Sequence, residues 1–100
     1  MSYFEINYPH KLGANNACEK IRSHLKKLNQ EYSDVITQKV ENWNGNHGKI
    51  DVGIKGFKIS CDIEVNDESV KISGDLPPTL FFFRGSIKQK IEEELSEILS

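Results

Sequence analysis

A chain of 100 residues that is 37% hydrophobic and 28% charged has enough apolar material for a domain with its own core, which excludes a disordered tail. Its 15 acidic against 13 basic side chains, a net charge of −2, exclude the bulk electrostatic attraction of a nucleic-acid binder and leave that role only a local patch. No apolar run approaches the roughly 20 residues that cross a bilayer, and MSYFEINYPH lacks the basic start and apolar stretch of a signal peptide, so a cytoplasmic protein without a membrane span is expected.

The segment YFEINY predicts a strand with Phe4, Ile6 and Tyr8 on one face and Tyr3, Glu5 and Asn7 on the other. Pro9 ends it and Gly13 helps to turn the chain. A helix is expected from about Ala14 to Gln30, because Ala17, Ile21, Leu25, Leu28 and Tyr32 recur at helical spacing with Cys18 beside them. Asn16 and Glu19 resemble a capping box. Lys20, Arg22, Lys26 and Lys27 follow later, as the helix dipole prefers. From Val35 the period becomes two: Val35, Thr37, Lys39 and Val40 give a strand of imperfect alternation that ends near Trp43. Asn44-Gly45 is a strong hairpin signal, since both turn residues take positive φ. Ile50, Val52 and Ile54 alternate, Gly56 marks a turn, and Phe57, Ile59, Cys61, Ile63 and Val65 alternate again. After the turn NDES come Val70 and Ile72.

Pro77-Pro78 closes the sheet, and proline suits a helix start. Leu80, Phe83, Ile87, Ile91, Leu95 and Ile98 form a second helical stripe, predicting one helix over about 78–99, kinked near Arg84-Gly85, with Ser86 and Gln89 placed to recap it. The expected fold is a single α+β domain spanning 1–100, of order β-α-β-β-β-β-α, with an antiparallel sheet and two helices packed on one face. Ile21, Leu25, Ile59, Cys61, Ile63, Ile87 and Ile91 should be buried together.

Catalysis needs a nucleophile, a base and a group that orients the base, and the sequence does not assemble that set. His24 lies off the centre of its stripe and reads as solvated. His47 belongs to a polar turn, and His10 reads as a residue that holds the strand-to-helix junction. No carboxylate pair has a spacing suited to acid/base work, and Glu92, Glu93 and Glu94 read as a solvated helix face. No glycine-rich loop precedes a helix in phosphate-binding form. Cys18 and Cys61 lack CxxC spacing and read as buried, reduced thiols. The expectation is a protein that is not an enzyme, with no catalytic residue, no metal and no cofactor.

Three stretches, YPHKLGANNACEKI, ENWNGNHGKIDVGIKG and KISGDLPPTLFFFRGSIKQKIEEEL, follow one another in a family's order and spacing. On them the chain resembles the small bacterial polyhydroxyalkanoic acid system proteins. The matching positions are His10, Leu12, Gly13, Ala17, Trp43, Gly45, Leu76, Pro77, Phe83, Gly85 and Ile87, from about Ile6 to Leu99 of the chain; Pro78 is extra to the pattern. The resemblance implies a protein encoded near storage-polyester synthesis genes and granule proteins, with no catalytic residues to carry over and a granule-associated or regulatory role. The motif positions themselves read as structural. A small hydrophobic-ligand domain, its sheet bent at Gly53, Gly56 and Gly74, is one alternative. An RNA-associated βαβββα domain is the other, since ribosome-hibernation factors share a similar strand-helix order. Those factors are strongly basic, whereas the best cluster here is Lys20, Arg22, Lys26 and Lys27, so no nucleic-acid partner is expected.

Successive helical residues point about 100° apart, so Phe81, Phe82 and Phe83 cannot share one buried stripe. Phe83 aligns with Leu80 and Ile87 and is expected inside. Phe81 or Phe82 then faces outward beside Arg84, Lys88 and Lys90, an apolar patch with a basic rim. Phe81, Phe82, Arg84 and Lys88 are the candidate contact surface, facing a storage-polymer granule or a granule protein. The same helix carries Glu92, Glu93, Glu94 and Glu97 at its far end. That order opposes the dipole, so packing or a partner has to hold the helix.

Overall fold

Alternation and helical stripes become five strands and two helices in the computed structural model, which describes residues 2–100. The elements are β1 (Ser2–Pro9), α1 (Ala14–Glu31), β2 (Ile36–Asn44), β3 (His47–Ile54), β4 (Phe57–Val65), β5 (Ser69–Leu76), a 3-10 helix (Pro78–Phe83) and α2 (Arg84–Leu99). The sheet is antiparallel throughout, in the order β1-β5-β4-β3-β2. β1 and β2 are therefore the two edges, and α1, which joins them, has to cross the sheet.

Register fixes the faces. Ile6, Ile72, Ile63 and Gly48 form one row across four strands, and Phe4, Gly74, Cys61 and Ile50 form the next. These rows meet Ala17, Cys18 and Ile21 of α1 and Leu95 and Leu99 of α2 in the core. Both helices thus lie on one face, as the period-two and helical patterns predict. Tyr3, Glu5 and Asn7 point the other way with Asp75, Ser73 and Lys71 opposite them. Ile21 and Ile63 are fully buried, while Leu25, Ile59, Cys61, Ile87 and Ile91 are half-buried around the core.

Several local expectations are corrected. The capping box does not form, because α1 begins at Ala14 and Asn16 already lies inside it. Gly13, at φ 79°, is the cap residue. The Ala14 amide instead donates to Asp67 Oδ1 at 3.2 Å, and Asn16 Nδ2 donates to the Leu12 carbonyl at 3.2 Å. Tyr32 falls beyond the last turn and is exposed.

β2 departs from alternation for a visible reason. A register shift between Ile36 and Gln38 turns Val40 outward. Lys39, Glu41 and Trp43 then occupy the helix-side face. There Lys39 pairs with Glu41 at 2.8 Å, Trp43 Nε1 donates to Glu41 Oε2 at 2.6 Å, and Arg22 of α1 stacks 5.2 Å from the Trp43 ring centre. Burial alone would raise the Glu41 carboxyl, but the hydrogen bonds from Lys39 and Trp43 and the Lys39 and Arg22 charges bring it below its ordinary value.

The C-terminal segment is not one kinked helix. Pro78 opens a 3-10 helix that runs to Phe83, and α2 starts only at Arg84. No side chain caps α2, so Ser86 and Gln89 do not recap it.

Both cysteines are free, Cys18 buried and Cys61 half-buried. Burial pushes the Cys18 thiol up against the charge of Arg22. Burial, with Asp62 and Asp51 nearby, pushes the Cys61 thiol from an ordinary 9.0 up to about 11. Native Cys61 keeps its proton where the unfolded thiol has lost it, so its contribution is complete below pH 9.0 and is lost as pH rises toward about 11. In urea unfolding, wild type should lose more stability than Cys61→Ala across that window. Parallel curves for the two proteins would show that Cys61 is not so placed.

Candidate contact surface

The strand directions give the sheet two ends. At one lie the end of β1, the start of α1, and the β2–β3 and β4–β5 turns. At the other lie the β3–β4 turn, the end of α1, the end of β5 and the 3-10 helix.

The first end is a clasp. His10 is buried at 7% exposure; its Nε2 lies 2.9 Å from the Asn66 carbonyl and its Nδ1 accepts from the Leu12 amide at 3.1 Å. The neutral Nε2–H tautomer satisfies both bonds. The Val65 amide donates to the Asn46 carbonyl and Asn46 Nδ2 reaches Asn15 Oδ1, tying both turns to α1. Gly45 supplies the positive φ of the hairpin, 62°, and the Trp43 ring lies over its partner Gly48. Of the motif positions, His10, Leu12, Gly13, Trp43 and Gly45 thus gather here.

Leu76, Pro77 and Gly85 belong to the other end. Leu76 is buried, Pro77 precedes the 3-10 helix, and Gly85 is exposed in the first turn of α2. The 3-10 helix turns all three phenylalanines outward: Phe81 is 46% exposed, Phe82 90% and Phe83 56%. Phe83 is therefore not a core residue. With three residues per turn it sits above Leu80, but only Leu80 of that column packs against the core, and Phe83 stays exposed. Phe81 packs edge-on to Phe82, and Arg84 lies 5.0 Å from the Phe81 ring centre while reaching the Tyr3 carbonyl at 3.4 Å.

Topology adds three more rings that the sequence does not mark. Tyr3 starts β1, Tyr32 follows α1 and Phe57 starts β4, all at this end and all exposed. The remaining aromatics, Phe4, Tyr8 and Trp43, are wholly or partly covered. Every exposed aromatic ring among the described residues therefore lies at one end of the molecule. Lys55, Lys58, Arg84, Lys88 and Lys90 belong to the elements at this end, and so do the acidic Glu31, Asp34, Asp51 and Asp75, with Glu5 accepting from the Tyr3 hydroxyl at 3.5 Å.

Beside the rings, Leu80, Phe83, Ile87 and Ile91 line an open apolar groove with Ser86 and Lys90 at its rim. Farther along α2, His24 is not solvated but bonds Glu94 Oε2 at 2.9 Å, joining the helices. Lys90, 3.2 Å from Glu94, holds that carboxyl below its ordinary value, with His24 adding to the effect. His47 stands 3.6 Å from Asp62 on the exposed sheet face. Among the described residues no three His, Cys, Asp or Glu side chains converge as metal ligands, and no helix is long and apolar enough to cross a membrane.

A family model described as "Putative polyhydroxyalkanoic acid system protein" matches residues 4–99. The chain belongs to this family. Its membership links the protein to the polyhydroxyalkanoic acid system. No curated protein and no solved structure matches the chain.

Proposed function

We propose that this polyhydroxyalkanoic acid system protein works without catalysis, as a docking module that holds to the storage polyester through its aromatic end. The observation that carries this reading is the collection of six exposed rings, Tyr3, Tyr32, Phe57, Phe81, Phe82 and Phe83, at one end. A polyester surface presents alkyl groups and ester carbonyls, which accept hydrogen bonds and donate none. Aromatic rings cover apolar surface with few torsions to freeze, and the Arg84, Lys88 and Lys90 side chains are donors without acceptor capacity. The two sets of groups are complementary. An open groove favours such a surface over a small ligand, which binds where most of its own area is enclosed.

The test is cosedimentation with washed polyhydroxyalkanoate particles, set against polystyrene beads of equal size. Wild type should pellet preferentially with the polyester. Phe81→Ser/Phe82→Ser should lower the bound fraction about tenfold, because exposed rings of this kind concentrate contact energy. The urea midpoint should hardly move, since exposed substitutions usually stay within about 0.5 kcal/mol. Undiminished binding by the double variant, or equal capture on polystyrene, would overturn the docking reading.

A further inference from the structure

We propose that Gly85 is a hinge on which the segment Pro78–Phe83 passes between its 3-10 helix and a continuous extension of α2, and that the extension withdraws Phe83 from the aromatic end. The hinge stands apart from polymer docking; only its effect on polyester binding rests on that reading.

Of the seven glycines, Gly13, Gly45 and Gly56 take positive φ, and Gly48, Gly53 and Gly74 stand against neighbouring atoms. Gly85 does neither: its φ is not positive and a Cβ there would meet open space. It nevertheless sits in the first turn of α2, inside any helix that runs on from the preceding segment. In a helix interior glycine is less favourable than alanine by a factor of about five. Steric need does not account for this residue, and ease of breaking the helix does.

The boundary beside it is lightly held. The 3-10 helix is six residues long, more than such helices usually reach, and no side chain caps either it or α2. Phe83, at φ −95° and ψ 1°, interrupts the helix, whereas Arg84, at φ −55° and ψ −45°, is already helical. A turn of roughly 40° at the Phe83 ψ brings it to helical values. The Arg84 amide, which now donates to the Phe81 carbonyl, then donates to that of Leu80. The side chains suit this second form: Leu80, Phe83, Ile87 and Ile91 follow one another at spacings of three, four and four, so a continuous helix sets Phe83 over Ile87 on one stripe. Against it stand the contacts of Arg84 with the Tyr3 carbonyl and the Phe81 ring. A surface that touches Phe83 selects the 3-10 form, and the extended form lets go of it.

The test is NMR of the free protein, reading Cα shifts and relaxation dispersion along the chain in wild type, Gly85→Ala and Phe83→Asp. Both sites are exposed, so both variants should stay folded. Wild type should show microsecond-to-millisecond exchange confined to the segment around the hinge. Gly85→Ala should move the Cα shifts from Leu80 to Arg84 toward α-helical values, with the extended population rising up to about fivefold. Phe83→Asp supplies the cap that α2 lacks and should abolish the exchange. No exchange in wild type, unmoved shifts in Gly85→Ala, or exchange that persists in Phe83→Asp would each overturn the hinge. Gly85→Ala should also pellet less with polyester than wild type. Equal pelleting despite moved shifts would overturn the withdrawal of Phe83 alone, and a wild type that does not pellet would sink the docking reading while the hinge stands.

Discussion

Leu95→Ala should cost about 3–4 kcal/mol of stability, whereas Phe83→Ala should cost no more than about 1 kcal/mol. Both residues fall on the apolar stripe of the C-terminal segment, and a sequence pattern treats them alike. Leu95 is 4% exposed in the core among the sheet residues, while Phe83 is 56% exposed at the rim of the groove. Truncating Leu95 removes buried methyl groups and leaves a cavity between packed elements, which carries the full transfer and cavity cost. Truncating Phe83 removes surface that water already reaches. Urea unfolding of the two variants beside wild type measures the difference. Equal losses would mean that the 3-10 helix packs inward, and the aromatic end would keep only Tyr3, Tyr32 and Phe57.

Gly74→Ala should destabilise the fold by roughly 3 kcal/mol, at the upper end of what overpacking usually costs. A Cβ at this position would stand 2.6 Å from the Ser60 carbonyl oxygen and 2.8 Å from the Phe4 ring. The carbonyl is fixed by the β4–β5 ladder and Phe4 is buried directly opposite, so neither neighbour yields cheaply. Gly48→Ala offers the contrast. The nearest atoms to its Cβ would be those of the Trp43 ring, at 2.7 Å, a half-buried ring on an edge strand that can tilt at the expense of its bond to Glu41 and its stacking with Arg22. About 1 kcal/mol is expected there. A Gly74→Ala variant as stable as wild type would show that the Phe4 ring does not rest on the Gly74 backbone.

Wherever a residue's environment comes from its own strand or helix, it was legible from the chain. The period-two runs around Ile50 and Ile63, a hairpin at Gly45 and the stripe of α1 depend on local rules, and the structure follows them, except that the turn residues are Gly45 and Asn46 with only Gly45 at positive φ, while Asn44 ends β2. His10 as a junction residue was legible too, because it stands between Pro9 and Gly13. The outward turn of Phe83 was not. Proline at a first position suits a 3-10 turn as well as an α-helix, and extending one helical period back across Arg84 assigns Phe83 to the wrong side. Contacts that join distant segments were also hidden. Asp67 bonds the Ala14 amide, and Glu94 meets His24 only because α2 returns beside α1. The aromatic end is of the same kind: Tyr3, Tyr32 and Phe57 are far apart in the chain and assemble only once β1 pairs with β5.

The irregularity of β2 has a consequence for how the molecule survives crowding. An outer strand with free amides and carbonyls is a template on which further chains can add, the first step toward cross-β growth. The shift between Ile36 and Gln38 interrupts that template, and the charged side chains of Lys39 and Glu41 lie on the face that an added strand would need to cover with apolar residues. A protein gathered densely on a particle would meet its own copies edge to edge at high local concentration. The broken alternation in ITQKVENWN works against such growth at the β2 edge.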